Sequence, residues 1–264
     1  LENIPQIGFL GGEAGKEIND SIKRDYKDFP ALQKSNYFNE IIRGSSPFYV
    51  VAVQSQFPQG VRVATQSDLE RAMKVNAITL SGTYEDTGLV LRTDGEPNSY
   101  LAGNLMKQVK ERLDKKAKMP VMVPLCGMEL VKDQDSPHGL AFKLKDDAEI
   151  IYSPILNKAG SFNSEDIDEK TGLPKKVGDG NRTLYTRNSG LSRLYLGDDL
   201  GLYSADVYLA GSDDGGRVVL VSTAEGGSPN FLNEKLAQLQ KSRDAEIAQI
   251  NERYTRAESV LRGE

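Results

Sequence analysis

A chain of 264 residues with a formal charge of −5 and a pI near 5.2 has no excess of Lys and Arg with which to displace counterions from phosphates. That balance excludes nucleic acid as a main partner. Its single cysteine, Cys126, excludes an internal disulfide and a thiolate zinc cluster. No apolar run approaches the roughly 18–20 residues that a bilayer span needs, and the opening LENIPQIGFLGG has no charged stretch ahead of an apolar one. The expectation is a soluble chain without a membrane span, built as one main domain with appendages.

Residues 13–43 mix charge with apolar Ile18, Ile22, Tyr26, Phe38, Ile41 and Ile42, and predict helical pieces broken at Pro30. Gly44-Ser45-Ser46-Pro47 closes this N-terminal helical region, 1–47, and a main domain follows over 48–227. Within it Phe48–Val53 (FYVVAV) reads as a buried strand and Val61–Ala64 as a short second one. Thr65 or Ser67 then caps a helix through Lys74, with Asp68 and Glu70 near its positive end. Over Ser99–Lys118, the fourfold spacing of Leu101, Leu105, Val109 and Leu113 and a basic last turn predict a helix packed on the sheet.

Between Met119 and Pro154 the runs VMVPL, LAFKL and AEIIY predict strands, interrupted by Pro and Gly. Residues 157–190 are polar and rich in Gly and Asn, which reads as a long ordered excursion. Leu194, Leu196, Leu200, Leu202, Val207 and Leu209 are apolar anchors, and a turn at 212–216 leads into a final strand, Arg217–Ser222. Ser228-Pro229 opens a helix to about Arg262, with Leu232, Leu236, Leu239, Ile247, Ile250, Tyr254, Ala257 and Leu261 on one stripe. The spacing in its second half resembles a coiled-coil seam that would assemble a homo-oligomer. Docking along the body of the same chain is the other reading.

Signals for catalysis are thin. His138, the one histidine, sits in a turn-like DSPHG context with no nucleophile signature beside it. Cys126 lies in an apolar run, where an inert core thiol is the ordinary outcome. The stretch Gly11–Lys16 resembles a phosphate loop but has Leu10 where the first glycine belongs and Glu17 where a Ser or Thr should bind magnesium. Asp198, Asp199, Asp213 and Asp214 lack EF-hand spacing and read as solvated turn carboxylates. Glu96-Pro97-Asn98 is similar to a lectin sugar-site tripeptide, but it directly precedes a helix and reads as the turn into its cap. Neither a catalytic residue, a metal nor a cofactor is expected.

The strongest signal is an exclusion. From Val177 to Ala224 the chain contains no Lys, Glu, Gln, Met or Trp, although these types supply 53 of its 264 residues. Inside that gap, 14 of the 21 residues from Tyr195 to Gly215 are Tyr, Asp, Gly or Ser, and the rest are Leu, Ala or Val. This is the composition of an antibody paratope, where Tyr gives rigid amphipathic contact area and short polar residues adapt to the partner. An ordinary β-rich segment, naturally poor in Lys and Glu, is the alternative.

Two further segments carry a resemblance. Gly60–Ala72 (GVRVATQSDLERA) resembles the strand-to-helix signature of C-type lectin folds of the formylglycine-generating-enzyme type, and Gly216–Val221 (GRVVLV) resembles the strand that closes them. With the biased segment, about 188–216, they resemble the variable proteins of diversity-generating retroelements. In that family mutated adenines turn AAC or AAT codons into any NNC or NNT codon, and such codons encode none of the five absent residue types. The resemblance implies an α+β, C-type lectin-like domain with much irregular backbone, followed by a C-terminal α-helix. It implies a hypervariable surface for a protein or other macromolecular ligand, the aspartates predict a basic patch on the partner, and the alternatives of a cell surface, a virus and the cytosol stay open. The ligand-facing positions would be Tyr195, Gly197, Asp198, Asp199, Gly201, Tyr203, Ala205, Asp206, Val207, Tyr208, Gly211, Asp213, Asp214 and Gly215. Leu194, Leu196, Leu200, Leu202, Leu209 and Gly216–Val219 would be scaffold. Alternatives are an oxidase related to the formylglycine-generating enzymes, which a single thiol serves poorly, and a structural protein that oligomerises through the C-terminal helix.

Overall fold

In the computed structural model, which describes residues 6–57, 60–113 and 117–222 together with 241, 247, 248, 250, 251 and 254, the apolar run Phe48–Val53 is helical rather than extended. Ser46 accepts a hydrogen bond from the Tyr49 amide and Pro47 occupies the first turn, so a hydroxyl cap followed by proline starts a helix here. All eight residues of Pro47–Gln54 are buried. A helix buried on every side has no polar face, and without that periodicity its sequence is indistinguishable from a buried strand.

In chain order the strands are β1 (Gln6–Phe9), β2 (Asn36–Phe38), β3 (Ile41–Arg43), β4 (Val61–Val63), β5 (Tyr84–Leu91), β6 (Val121–Pro124), β7 (Met128–Lys132) and β8 (Leu140–Leu144). They continue with β9 (Ile151–Tyr152), β10 (Gly160–Phe162), β11 (Arg182–Tyr185), β12 (Leu191–Leu196), β13 (Leu202–Tyr203), β14 (Gly216–Arg217) and β15 (Val219–Ser222). The helices are α1 (Gly12–Asp25), α2 (Pro47–Gln54), α3 (Gln66–Lys74) and α4 (Ser99–Arg112), which makes the architecture α+β. Helix α3 starts at the expected Thr65, whose side chain and that of Asp68 form a reciprocal capping box. Helix α4 is held on β8 by Gln108, whose amide group bonds the Phe142 carbonyl and the Leu144 amide at 3.0 and 2.8 Å.

The N-terminal region is not wholly helical. Beyond α1 it forms the β2–β3 hairpin, turning at Asn39 and Glu40 with positive φ, and its Leu10, Ile22, Leu32 and Ile42 are fully buried in the main core. β15 lies between β1 and β4, antiparallel to both, so the first and last described strands pair with each other. The large sheet runs β10-β11-β13-β12-β5-β14-β3-β2, with β6 and then β9 branching from β5. Strand β5 organises it: β12 runs antiparallel along one edge, while β14 takes Tyr84 and Glu85 and β6 takes Gly88–Leu91 on the other.

Residues 157–190 are mostly irregular but carry β10 and β11, and bury Phe162 and Leu173 as anchors. Helix α4 ends at Arg112 with Leu113 as its C-cap, short of the predicted Lys118: Ala117 and Lys118 are not helical, and 114–116 lie outside the described residues. The C-terminal helix predicted over 228–262 also lies outside them, except for Lys241, Ile247, Ala248, Ile250, Asn251 and Tyr254, which are helical and exposed. Among the described residues no helix is long and apolar enough to cross a membrane.

Candidate functional site

Strand alternation sorts the biased segment into two faces. On β11, β13 and β12 the register places Leu184 beside Leu202 and Leu202 beside Leu196, and all three leucines are fully buried in one apolar cluster. Their neighbours one residue along, Tyr185, Tyr203 and Tyr195, are paired in the same register and must point the other way. The result is a row of rings: Tyr185 and Tyr203 stack at 4.4 Å and 19°, and Tyr203 and Tyr195 at 5.0 Å and 5°. Tyr84 of β5 extends the row, 5.5 Å from Tyr195 and tilted by 60°.

A bulge makes that extension possible. Between Leu194↔Gly88 and Tyr195↔Asp86 the register slips at Thr87, an extra residue in β5. Because side chains alternate, the slip rotates Asp86 and Tyr84 onto the face carrying Arg193 and Tyr195. Asp86 then receives the Arg193 guanidinium through Nε and Nη2 at 2.7 and 2.6 Å, with both side chains buried. The same guanidinium lies 4.9 Å from the Tyr84 ring centre and 4.7 Å from that of Tyr195. Burial acts to lower the Arg193 pKa, but the charge and hydrogen bonds of Asp86 outweigh it and the net shift is upward.

Two loops close the ends of the row. In the β12–β13 turn Asp198 and Asp199 are exposed, and Asp199 accepts from the Gly201 amide at 2.8 Å and the Tyr203 hydroxyl at 3.1 Å. Gly197 and Gly201 are buried beneath the Tyr203 ring: a Cβ on Gly197 would lie 2.4 Å from Tyr203 Cε2. These two glycines support the surface rather than face a ligand. At the other end Leu209 is buried and anchors a loop on which Tyr208 stands out, 73 % exposed. Asp206 accepts from the Tyr208 amide and Asp213 from the Gly215 amide, each at 2.8 Å. Asn98 fixes the same loop by donating to the Val207 and Leu191 carbonyls, both at 2.9 Å. Ala205, Val207, Gly211 and Gly215 are half-buried, and Asp213 and Asp214 are exposed.

Burial pushes the Tyr195 hydroxyl up to about 12, with Asp206 adding to the effect, and Tyr203 moves upward through partial desolvation and its bond to Asp199. Both remain neutral donors through physiological pH. Between the row and the second loop lies a cleft of about 240 Å³ bordered by Arg193, Tyr195, Asp206, Tyr208 and Asp213.

The structure therefore brings Tyr195, Tyr203, Tyr208, Asp199, Asp206 and Asp213 together and adds Tyr84, Tyr185, Asp86 and Arg193, which the sequence reading missed, whereas Asp214 turns to Asn36 and Arg43 of the β2–β3 hairpin. Tyr185 was within reach, since it lies inside the compositional gap and ends a strand. Tyr84 lies outside the gap and carries no local signal. His138 packs edge-on against Phe48 at 5.2 Å, its pKa lowered by burial and by Lys34. Burial raises the Cys126 thiol, which leaves it a weak nucleophile. No family model matches the chain, nor does any curated protein or solved structure.

Proposed function

We propose that the chain is a ligand-binding protein that displays a retroelement-diversified, Tyr- and Asp-rich surface on a C-type lectin-like scaffold. One observation carries this reading: the segment lacking Lys, Glu, Gln, Met and Trp supplies the stacked Tyr185, Tyr203 and Tyr195 and the exposed Asp198, Asp199, Tyr208, Asp213 and Asp214, while Leu184, Leu194, Leu196, Leu202 and Leu209 of the same segment are buried. A surface sorted in this way can change at its outward positions while the leucine layer beneath it stays packed. The pairing of β1 with β15, and the long irregular excursion over 157–190, support the lectin-like part.

The face has the physical character of a recognition surface. Stacked tyrosines offer broad contact at low entropic cost, because each ring is already ordered by its neighbour. Aromatic anchors of this kind dominate interface energetics, and the aspartates around them set specificity.

Sequencing the gene and its flanking kilobases across the source population tests the reading. The expected result is substitution concentrated at Tyr195, Asp198, Asp199, Tyr203, Asp206, Tyr208, Asp213 and Asp214, beside a near-copy template with adenines at those codons. Sparse, even variation and no template would sink it.

A further inference from the structure

We infer that the cleft beside Arg193 receives one basic side chain, Arg or Lys, of a protein partner; this rests on the reading of the tyrosine face as a binding surface. At about 240 Å³ the cleft is smaller than the roughly 300–1,000 Å³ of small-molecule pockets, and it suits a single side chain. Its charge selects the sign of the guest. Two carboxylates, Asp206 and Asp213, line the cleft together with Arg193, whose charge is already met by the buried Asp86.

An anion finds Arg193 buried and largely committed. Nε and Nη2 are committed to Asp86, Nη1 donates to the Gly211 carbonyl at 3.2 Å and lies 3.6 Å from Asp206, and the side chain is 5 % exposed. A cation finds two carboxylates on the cleft wall: Asp206 and Asp213 each spend Oδ1 on a backbone amide, Asp206 Oδ2 lies 3.6 Å from Arg193 Nη1, Asp213 is exposed, and the open ring of Tyr208 borders the same cleft. A flat guanidinium or an ammonium can sit against that ring while bonding the carboxylates. Among the described residues no group of three or more His, Cys, Asp or Glu side chains is gathered for a metal ion, so an organic cation fits better.

The test is an NMR titration of the ¹⁵N-labelled full chain with N-acetyl-arginine amide, against its neutral isostere N-acetyl-citrulline amide and against N-acetyl-tyrosine amide. The expected result is shifts confined to the amides around Asp206, Tyr208, Gly211 and Asp213, with a Kd on the order of 1 mM for so small a probe. The Asp206→Asn/Asp213→Asn variant keeps an acceptor for both backbone amides and should bind about tenfold more weakly. If that variant is perturbed, the parent chain gives the same information, because raising salt should weaken the arginine probe and leave the citrulline probe unchanged. Equal shifts with citrulline, preference for the tyrosine probe, or no localised shift would overturn the inference. Such a failure is separable from failure of the surface reading, because population sequencing uses no probe and can succeed while the cleft stays silent.

Discussion

Strand β5 carries two acidic residues side by side, and their fates differ. Asp86 points toward the tyrosine face and is bound bidentately by Arg193; Glu85 points to the opposite face and meets Arg217 through one oxygen only, Oε1, at 2.7 and 2.9 Å. Each arginine is backed by aromatic rings, Tyr84 and Tyr195 for Arg193 and Phe9, at 4.1 Å, for Arg217. The second Glu85 oxygen, Oε2, is buried with no hydrogen-bond partner among the described residues. Desolvation pushes both carboxylates upward, Asp86 against the pull of a bidentate Arg193 and Glu85, to about 7, against an Arg217 that reaches one oxygen only. Hydrogen bonds to both oxygens, rather than proximity of opposite charges, separate the two, since Glu85 Oε2 is left unmet among the described residues.

The comparison breaks most violently at Arg193. Arg193→Ala strands the Asp86 carboxylate in a buried site and removes the support between two rings, so it should cost about 3–5 kcal/mol in denaturant unfolding. Adding Asp86→Leu should recover much of that loss, since replacing both partners leaves no unpaired charge. A single variant as stable as the parent would show that the pair is not what holds the face.

Glu85 sharpens the comparison through pH. Desolvation raises its pKa to about 7 against the pull of Arg217, compared with 4.5 for the free side chain. Below about 4.5 both folded and unfolded chains hold the proton. Between 4.5 and 7 only the folded chain does, so this group's stabilising contribution is lost as pH rises, by at most about 1.4 kcal/mol per unit. His138 acts with the opposite sign just below its ordinary value of 6.5, because a lowered base pKa favours the folded state as pH rises. Melting curves of the parent and Glu85→Gln from pH 4.5 to 7.5 separate the two. The parent should lose ground to the variant across that window, and parallel curves would show Glu85 ionised throughout.

Elements governed by local chemistry were legible in the sequence, and those assembled by register were not. Helix α3 could be read because Thr65 and Asp68 announce its start within four residues. The α+β class came with the resemblance to C-type lectin folds, and of the expected leucine anchors Leu194, Leu196, Leu202 and Leu209 are buried while Leu200 is half-buried. Helix α2 was misread because uniform burial erases the polar face that periodicity depends on. The aromatic row was half legible: Tyr195 and Tyr203 stand in the biased segment, whereas Tyr84 reaches them only through the Thr87 bulge. The Asp86–Arg193 pair spans two strands distant in sequence, so nothing local marks either residue.

The smallest effect separates the tyrosine surface from the glycines beneath it. Gly197 does not adopt a positive φ, so alanine there meets no backbone strain; its main obstacle is the Tyr203 ring, with Cε2 at 2.4 Å and Cδ2 at 2.8 Å from the added carbon, and Asp199 Oδ1 follows at 3.1 Å. That ring is stacked on both sides, by Tyr195 and Tyr185, and cannot shift without opening one of the two contacts. Gly197→Ala should therefore cost about 1 kcal/mol in the parent, at the low end for overpacking, and almost nothing in a Tyr203→Ala background. A coupling close to the full single-variant cost in this double-mutant cycle would show that glycine at 197 is required by the residue at 203. An unchanged cost without the ring would place the requirement in the β12–β13 turn itself. The first outcome carries a consequence for a diversified surface: chains with a small residue at 203 should tolerate side chains at 197, so the two positions would vary together rather than independently.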